Sequence, residues 1–207
     1  MAIAFVDSTR YTRWDTTATN LTGSIIVSAG SNRILLVGVV IQGGTISSVT
    51  WDGNAMTQVV SVANATPDQI YALYRYVAPD IKTANVVVTQ SEADRISFVE
   101  ATYTGVHQTS PVNVSNSGTG TGSASANLTT TIANCWLVAS GLLTDAVTSF
   151  TGVTERETLS INTCNYGDSN AVVAAGANTI SISGTGAGGI VSLAMTPAFG
   201  LKRIITI

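Results

Sequence analysis

One histidine, two cysteines and twelve carboxylates are all that this 207-residue chain offers to acid–base, nucleophilic or metal chemistry. The histidine lies in Tyr103-Thr104-Gly105-Val106-His107-Gln108-Thr109-Ser110-Pro111, with no carboxylate beside it. A Ser-His-Asp triad would need a distant Asp folded against it, and a metal site with two histidines is excluded. His107 therefore reads as a loop residue. Glu155 and Glu157 straddle Arg156 and share one face of an extended segment. Paired carboxylates can cleave glycosides, but same-face glutamates on a strand more commonly dress a solvated sheet edge. Asp52, Asn54, and Asp168 with Asn170 could offer oxygens to calcium; they lack the graded spacing of a calcium loop, and turn chemistry accounts for them. Gly184-Thr185-Gly186-Ala187-Gly188-Gly189 spells G-x-G-x-x-G, which binds a nucleotide only between a strand and a helix. Ile190-Val191-Ser192-Leu193-Ala194-Met195 continues as β-like sequence, so a hairpin tip is expected at 184–189, and likewise at 117–123. The reading assigns no catalytic, cofactor-binding or metal-binding residue, and expects no cofactor and no enzyme activity.

Aromatic side chains offer one other chemistry, stacking on sugar rings. Trp136 lies between Cys135 and Leu137 in an apolar run and reads as core. Trp51 flanks a turn and Trp14 lies in a polar segment, so these two are the candidates for exposed, glycan-stacking rings, with Tyr71, Tyr74, Tyr76 and Tyr103 behind them. Cys135 and Cys164 could form at most one bridge. The opening residues Met1-Ala2-Ile3-Ala4-Phe5-Val6-Asp7 lack the basic start, apolar core and cleavage site of a signal peptide, so two buried thiols are expected.

Any such residues must be positioned by strands. Only 10% of the chain is Asp, Glu, Lys or Arg, against about a quarter in ordinary soluble domains. Short Val/Ile/Thr/Ser runs alternate with Gly/Asn/Asp turns throughout. They predict strands near 3–12, 21–29, 32–42, 49–62, 69–77, 85–90, 96–104, 123–132, 135–143, 153–163, 171–175, 179–183 and 190–196. Asp52-Gly53-Asn54 marks a tight hairpin inside 49–62. The strongest apolar run, 34–41, is about half the ~20 residues that span a bilayer and reads as a fully buried central strand. A net charge of −3 gives no basic field for nucleic acid; neither nucleic acid nor membrane is an expected partner. No convincing repeat and no 3.6-residue period stand out. The fold class expected is all-β, a two-sheet antiparallel sandwich of jelly-roll or Ig-like type, with residues 1–200 as one domain and the loop at 115–126 inside it.

Three stretches in order carry a resemblance: Asn32-Arg33-Ile34-Leu35-Leu36-Val37-Gly38-Val39, Val49-Thr50-Trp51-Asp52-Gly53-Asn54-Ala55-Met56-Thr57, and Tyr103-Thr104-Gly105-Val106-His107-Gln108-Thr109-Ser110-Pro111-Val112. Together with the aromatic strand ending Val77-Ala78-Pro79, they resemble a poorly characterised family of β-sandwich modules of bacteriophage virion proteins and bacterial surface proteins. The resemblance spans about residues 8–197. His107 stands where that family's pattern has an acidic residue. The resemblance implies the sandwich fold and a particle-borne or extracellular setting, and it implies no catalytic residue.

Low charge, stand-alone size, the missing signal peptide and the resemblance together lead to an expected non-enzymatic virion structural protein. A capsid decoration or cement protein, or another head-associated subunit, comes first; a carbohydrate- or receptor-binding module of a tail or fibre is the alternative. Such a protein would assemble in the host cytoplasm into the virion, with major capsid or tail protein as partner and as a homo-oligomer or symmetric array. Beyond the sandwich, Leu201-Lys202-Arg203-Ile204-Ile205-Thr206-Ile207 is β-branched and apolar. Leu201, Ile204, Ile205 and Ile207 are read as a C-terminal assembly arm that adds to a neighbour's sheet, or as a last edge strand of the chain's own sheet.

Overall fold

The computed structural model describes residues 2–65, 68–157, 159–160 and 162–198, and each regular element among them is a β-strand. Seven strands form the first sheet: β1 (Ala4–Ile26), β2 (Ile34–Gln42), β3 (Ile46–Trp51), β4 (Asn54–Ala55), β5 (Thr57–Ala65), β6 (Asp68–Val77) and β7 (Thr83–Thr104). Six form the second: β8 (Val112–Thr130), β9 (Trp136–Leu143), β10 (Ala146–Thr151), β11 (Thr154–Glu155), β12 (Asn165–Asp168) and β13 (Gly176–Met195). Every pairing is antiparallel. The two-sheet antiparallel sandwich expected from the turn-punctuated strands is what the chain forms.

The first half of the chain makes one sheet and the second half makes the other. Both follow one scheme. A long opening strand pairs with the long closing strand (β1 with β7, β8 with β13), and the closing strand also pairs with the second and third strands of its half. The second strand then pairs with the penultimate one (β2 with β6, β9 with β12), which carries the outer strand of its sheet (β5, nine residues, and β11, two). A repeat that the residues do not announce is therefore present in the topology, because pairing schemes tolerate any sequence with the right alternation.

The long strands bend. β1 and β7 shift register between Arg13 and Asn20, and β8 and β13 between Ser183 and Ala187. Each sheet thus folds over onto its own outer face, so the molecule holds three apolar clusters. Ile34, Leu36 and Val40 of β2 meet Trp136, Val138 and Leu142 of β9 in the cluster between the sheets. Leu35, Val37, Val39 and Ile41 point the other way, into the fold of the first sheet; Leu137, Ala139 and Leu143 do the same in the second. β2 and β9 are buried on both faces for this reason, which explains their unbroken apolar runs. Each large side chain so buried contributes about 1.5–3 kcal/mol.

Several segments differ from the predicted ones. The Gly/Ser/Thr stretches 117–123 and 184–189 are not loops or a hairpin tip; they are the bends of β8 and β13, still paired to each other. Their glycines are needed where the backbone runs close to its neighbours: a Cβ at Gly188 would lie 2.9 Å from Cα of its ladder partner Leu143, and Gly122 and Gly186 take φ of 74° and 80°. Predicted strands 3–12 and 21–29 are one strand, as are 85–90 with 96–104 and 179–183 with 190–196. The predicted strand 153–163 shrinks to β11, and 171–175 is replaced by β12, whose Asn-Tyr-Gly-Asp letters read as a turn yet are wholly buried. The Asp52-Gly53 hairpin forms between β3 and β4, with φ of 51° and 76° at its two turn residues, the both-positive geometry of a type I′ turn.

Candidate functional site

The densest polar constellation lies between the sheets, at Asp168. Tyr166 and Asp168 of β12 alternate with Asn165 and Gly167, and all four are fully buried. Arg156, one residue past β11, turns inward over them. Its Nε donates to Asp168 Oδ2 at 2.8 Å and its Nη2 to Asp168 Oδ1 at 2.6 Å. Nη2 also reaches Asn170 Oδ1 at 2.7 Å, and the Asn170 backbone N–H donates to Asp168 Oδ1 at 2.8 Å. From the other sheet, the Tyr103 hydroxyl donates to Asp168 Oδ2 at 2.8 Å and lies 3.2 Å from the Tyr166 hydroxyl. Phe5 of β1 stacks under the guanidinium, 4.2 Å away, and meets the Tyr103 ring edge-on. Next to this, Ser8 donates to Glu157 Oε1 at 2.6 Å.

The chemistry of this arrangement is that of a lock. Four donors saturate a carboxylate that has no exposed surface, and the bidentate fork fixes its plane. Hydrogen bonding to Asp168 raises the Arg156 guanidinium further, and burial drives Tyr103 and Tyr166 well above the ordinary phenol range. The oxygens of Asp168 and Asn170, considered above as calcium donors, face a guanidinium instead of a metal ion. Among the described residues, no group of three or more His, Cys, Asp or Glu could hold a metal ion.

A second polar set sits where β2 and β9 cross. A Cβ at Gly38 would lie 2.5 Å from Ser140 Cβ, so the sheets can approach only because residue 38 is glycine. Ser140 Oγ is 2.9 Å from Cys164 Sγ, the Cys164 N–H donates to Ser97 Oγ, and the Cys164 thiol donates to the Gly38 carbonyl at 3.3 Å. Burial pushes this thiol up to about 12, which leaves it unreactive. Cys135 is also a free, buried thiol, raised by burial, and lies in the cluster inside the second sheet.

Two of the three resemblance stretches, 32–39 and 103–112, meet the end of the aromatic strand at one end of the first sheet. Arg33 Nε donates to Pro79 O at 2.8 Å and Nη1 to Gly30 O at 2.6 Å, while Gln108 Nε2 donates to Arg33 O and Val106 O. Ala78 N–H donates to Arg33 O, and Gly105 and Val106 donate to Ser31 and Asn32. His107 Nδ1 accepts the Ser110 backbone N–H at 3.0 Å and lies 3.2 Å from Thr109 Oγ1. An acidic side chain at 107 could cap the same turn through its oxygen.

The two tryptophans read as exposed are not. Trp14 is 6% exposed and belongs to the cluster between the sheets; Trp51 is 1% exposed, under Tyr76 and Lys82. Turn letters beside them suggested surface, but the bend of β1 and the β3–β4 hairpin both fold inward over a core. Neither offers an open ring face for stacking. Trp136 is core, as expected, and Tyr71, Tyr74 and Tyr103 are buried as well. Glu155 is exposed in β11, while Glu157 faces Ser8, so the two carboxylates do not form an acid–base pair on one strand. The arm residues Leu201, Ile204, Ile205 and Ile207 lie outside the described residues.

Sequence reasoning missed Arg156, Asp168 and Tyr103 as partners, since they come from three separate segments. It also missed Glu100, which is fully buried in β7 with neither carboxyl oxygen partnered. Desolvation raises its carboxyl to about 8. An acidic residue between Val99 and Ala101 in an apolar run was the available signal. No family model, curated protein or solved structure matches this chain.

Proposed function

We propose that this chain is a non-enzymatic structural subunit of a bacteriophage particle, a capsid decoration or other head-associated protein. The observation that carries this reading is where the polar side chains act. The most buried ion pair among the described residues, Arg156 with Asp168, is tied to the other sheet by Tyr103 and Phe5 and does not line an open cleft. Apart from Arg13, Asp15, Ile26 and Gln58, what faces outward along β1, β5 and β8 is Thr, Ser, Asn and Ala. A rigid body with so little surface charge loses little solvation on packing against copies of itself, and interface cores are depleted in charge for that reason.

Residues 201–207 supply the apolar, β-branched segment through which such a subunit would join a neighbour's sheet edge. The location and copy number of the protein in purified particles test the reading. Many copies per particle in a symmetric array, with particle association lost on deleting residues 201–207, support it. A protein absent from particles that turns over a small molecule in solution overturns it. The tail or fibre recognition alternative keeps no exposed tryptophan ring, and rests on the cleft treated next.

A further inference from the structure

The bend of β1 carries side chains that folding does not account for. Thr12, Arg13, Trp14, Asp15 and Thr16 line a cleft of about 460 Å³, closed on the far side by Ser160, Asn162 and Thr163. The far wall is tied to β12: Asn165, fully buried, accepts the Ser160 N–H at 3.0 Å and donates to Ser160 O and Thr163 O. The Thr163 hydroxyl donates to Ser160 O as well. By contrast, Arg13 and Asp15 make no ion pair among the described residues, and the Thr12, Thr16 and Asn162 side chains make no hydrogen bond there. Trp14 forms the floor, anchored in the core with one margin on the cleft.

The repeated pairing scheme supplies an internal comparison. The corresponding bend in the second half, 117–123 with 184–189, is built of Gly, Ser, Thr and Ala, and Asn64 at the end of β5 reaches in to donate to Gly188 O. The bend segments of that corner carry no charged side chain of their own, and the one charged group set against them, Asp145, packs on Gly186. The β1 corner, on the same scheme, is bulged twice, and its cleft is lined by an arginine, an aspartate, threonines, a serine and an asparagine. The architecture therefore does not require these groups.

We infer that the β1 corner binds a neutral saccharide unit of one or two rings. The cleft volume lies within the range of small-molecule sites, about 300–1,000 Å³. Its lining is hydroxyl, amide, carboxylate and guanidinium, groups that pair with vicinal hydroxyls as donor and acceptor at once. Arg13 and Asp15 both lie on the cleft, beside the bulge that breaks the alternation of β1, and cancel in charge, which disfavours an anion. A single carboxylate disfavours a divalent cation. Without an open aromatic face, hydrogen bonds carry the recognition, and the affinity falls in the millimolar range, about 1–10 mM.

The test is a titration of the intact protein, labelled with ¹⁵N, by glucose, galactose, N-acetylglucosamine and their β-linked disaccharides, with N-acetylneuraminic acid as the anionic arm. The three indole N–H signals report directly, because those of Trp51 and Trp136 are buried and serve as internal references; Trp14→Phe assigns the third. The expected result is a saturable shift of the Trp14 signal by at least one neutral sugar. Asp15→Ala and Asn162→Gly should each weaken it about tenfold, the loss of one hydrogen bond to or from a polar ligand. Glycine at 162 keeps the φ of 56° that Asn162 adopts, so this variant removes the amide without straining the turn. Thr22→Ala, on the exposed face of β1, should leave binding unchanged. No saturable movement of the Trp14 signal with any neutral sugar up to about 50 mM overturns the proposal, as does binding by N-acetylneuraminic acid alone, or binding that survives both Asp15→Ala and Asn162→Gly. The outcome is separate from the virion assignment, since particle location is read by copy number and not by sugar affinity.

Discussion

Replacing Glu100 with Gln should change how the protein's stability depends on pH. Glu100 sits on the face of β7 that looks into the first sheet's own fold, opposite Thr9 of β1 and Val37 of β2. The Tyr11 ring and Gly23 of the folded-over β1 close it in, and a Cβ on Gly23 would collide with both. The Tyr11 hydroxyl is engaged with Ser24 of β1, so it gives the carboxyl no donor. Thr102, two residues along the same face, is likewise buried with its hydroxyl unpartnered. A carboxylate here loses its water and finds nothing in exchange.

Its carboxyl accordingly titrates near 8 rather than 4.5, with desolvation as the cause. The sign follows from linkage. The folded value is raised above the unfolded one, so the native state holds the proton more tightly. The associated stability is complete below about pH 4.5 and is lost as pH rises toward 8. The gap from 4.5 to about 8, at ~1.36 kcal/mol per pH unit, amounts to about 5 kcal/mol, a large share of the roughly 5–15 kcal/mol of a whole domain. Chemical denaturation of the wild type and of Glu100→Gln at pH values from about 5 to 9 reads this directly. The difference between the two should swing by about 4 kcal/mol over that window in favour of Gln at high pH. Parallel stability curves for the two proteins would refute the reasoning.

Three other outcomes follow from the same geometry. Asp168→Asn removes the charge that Arg156 faces in a buried site and should destabilise by about 3–5 kcal/mol, measured by urea unfolding, with Arg156→Lys failing to substitute because it cannot form the fork. Gly38→Ala should destabilise by about 1–3 kcal/mol or more by overpacking against Ser140, and adding Ser140→Gly should recover part of that loss; strict additivity in the double-mutant cycle would count against the crossing contact. His107→Asp should hold thermal stability while His107→Ala loses about 1 kcal/mol, as for other side chains that cap a backbone N–H.

How much of this was legible in the residues depends on what each pattern encodes. β2, β6 and β9 stand out because burial on both faces, or strict alternation, writes itself into side-chain type. The Asp52-Gly53 turn is equally plain, since positive φ at two successive positions selects few residues. The bends of β1, β7, β8 and β13 are not legible. Gly, Ser, Thr and Asp serve a paired strand crossing a tight corner as well as they serve a loop, and only the partner strand tells the two apart. β12 is hidden for a related reason: Asn165 and Asp168 look like turn formers until their hydrogen bonds from Ser160, Arg156, Tyr103 and Asn170 are seen to satisfy them inside the core. Trp14 and Trp51 were misplaced by the same ambiguity, being flanked by polar letters that belong to a fold-over rather than to a surface.

The two-fold repetition of the pairing scheme separates what the architecture needs from what this chain adds. Corresponding strands occupy corresponding places, so a feature present in both halves answers to the fold. The buried central strands and the bent ribbons are of that kind. Features found in one half alone are not compelled by it. Glu100 in β7 pairs with Val37 of β2 at the place where Ser192 of β13 pairs with Ala139 of β9, and serine there finds a backbone acceptor in Asn116. The Arg156–Asp168 lock, the uncapped Glu100 and the polar cleft at the β1 bend are all one-sided. The buried, unpartnered carboxyl lowers stability relative to what the other half achieves with serine, whereas the polar side chains at the β1 bend are exposed and simply uncommitted. That contrast is why function should be sought at the β1 corner and not at the crossing of the central strands, where every polar group is already bound.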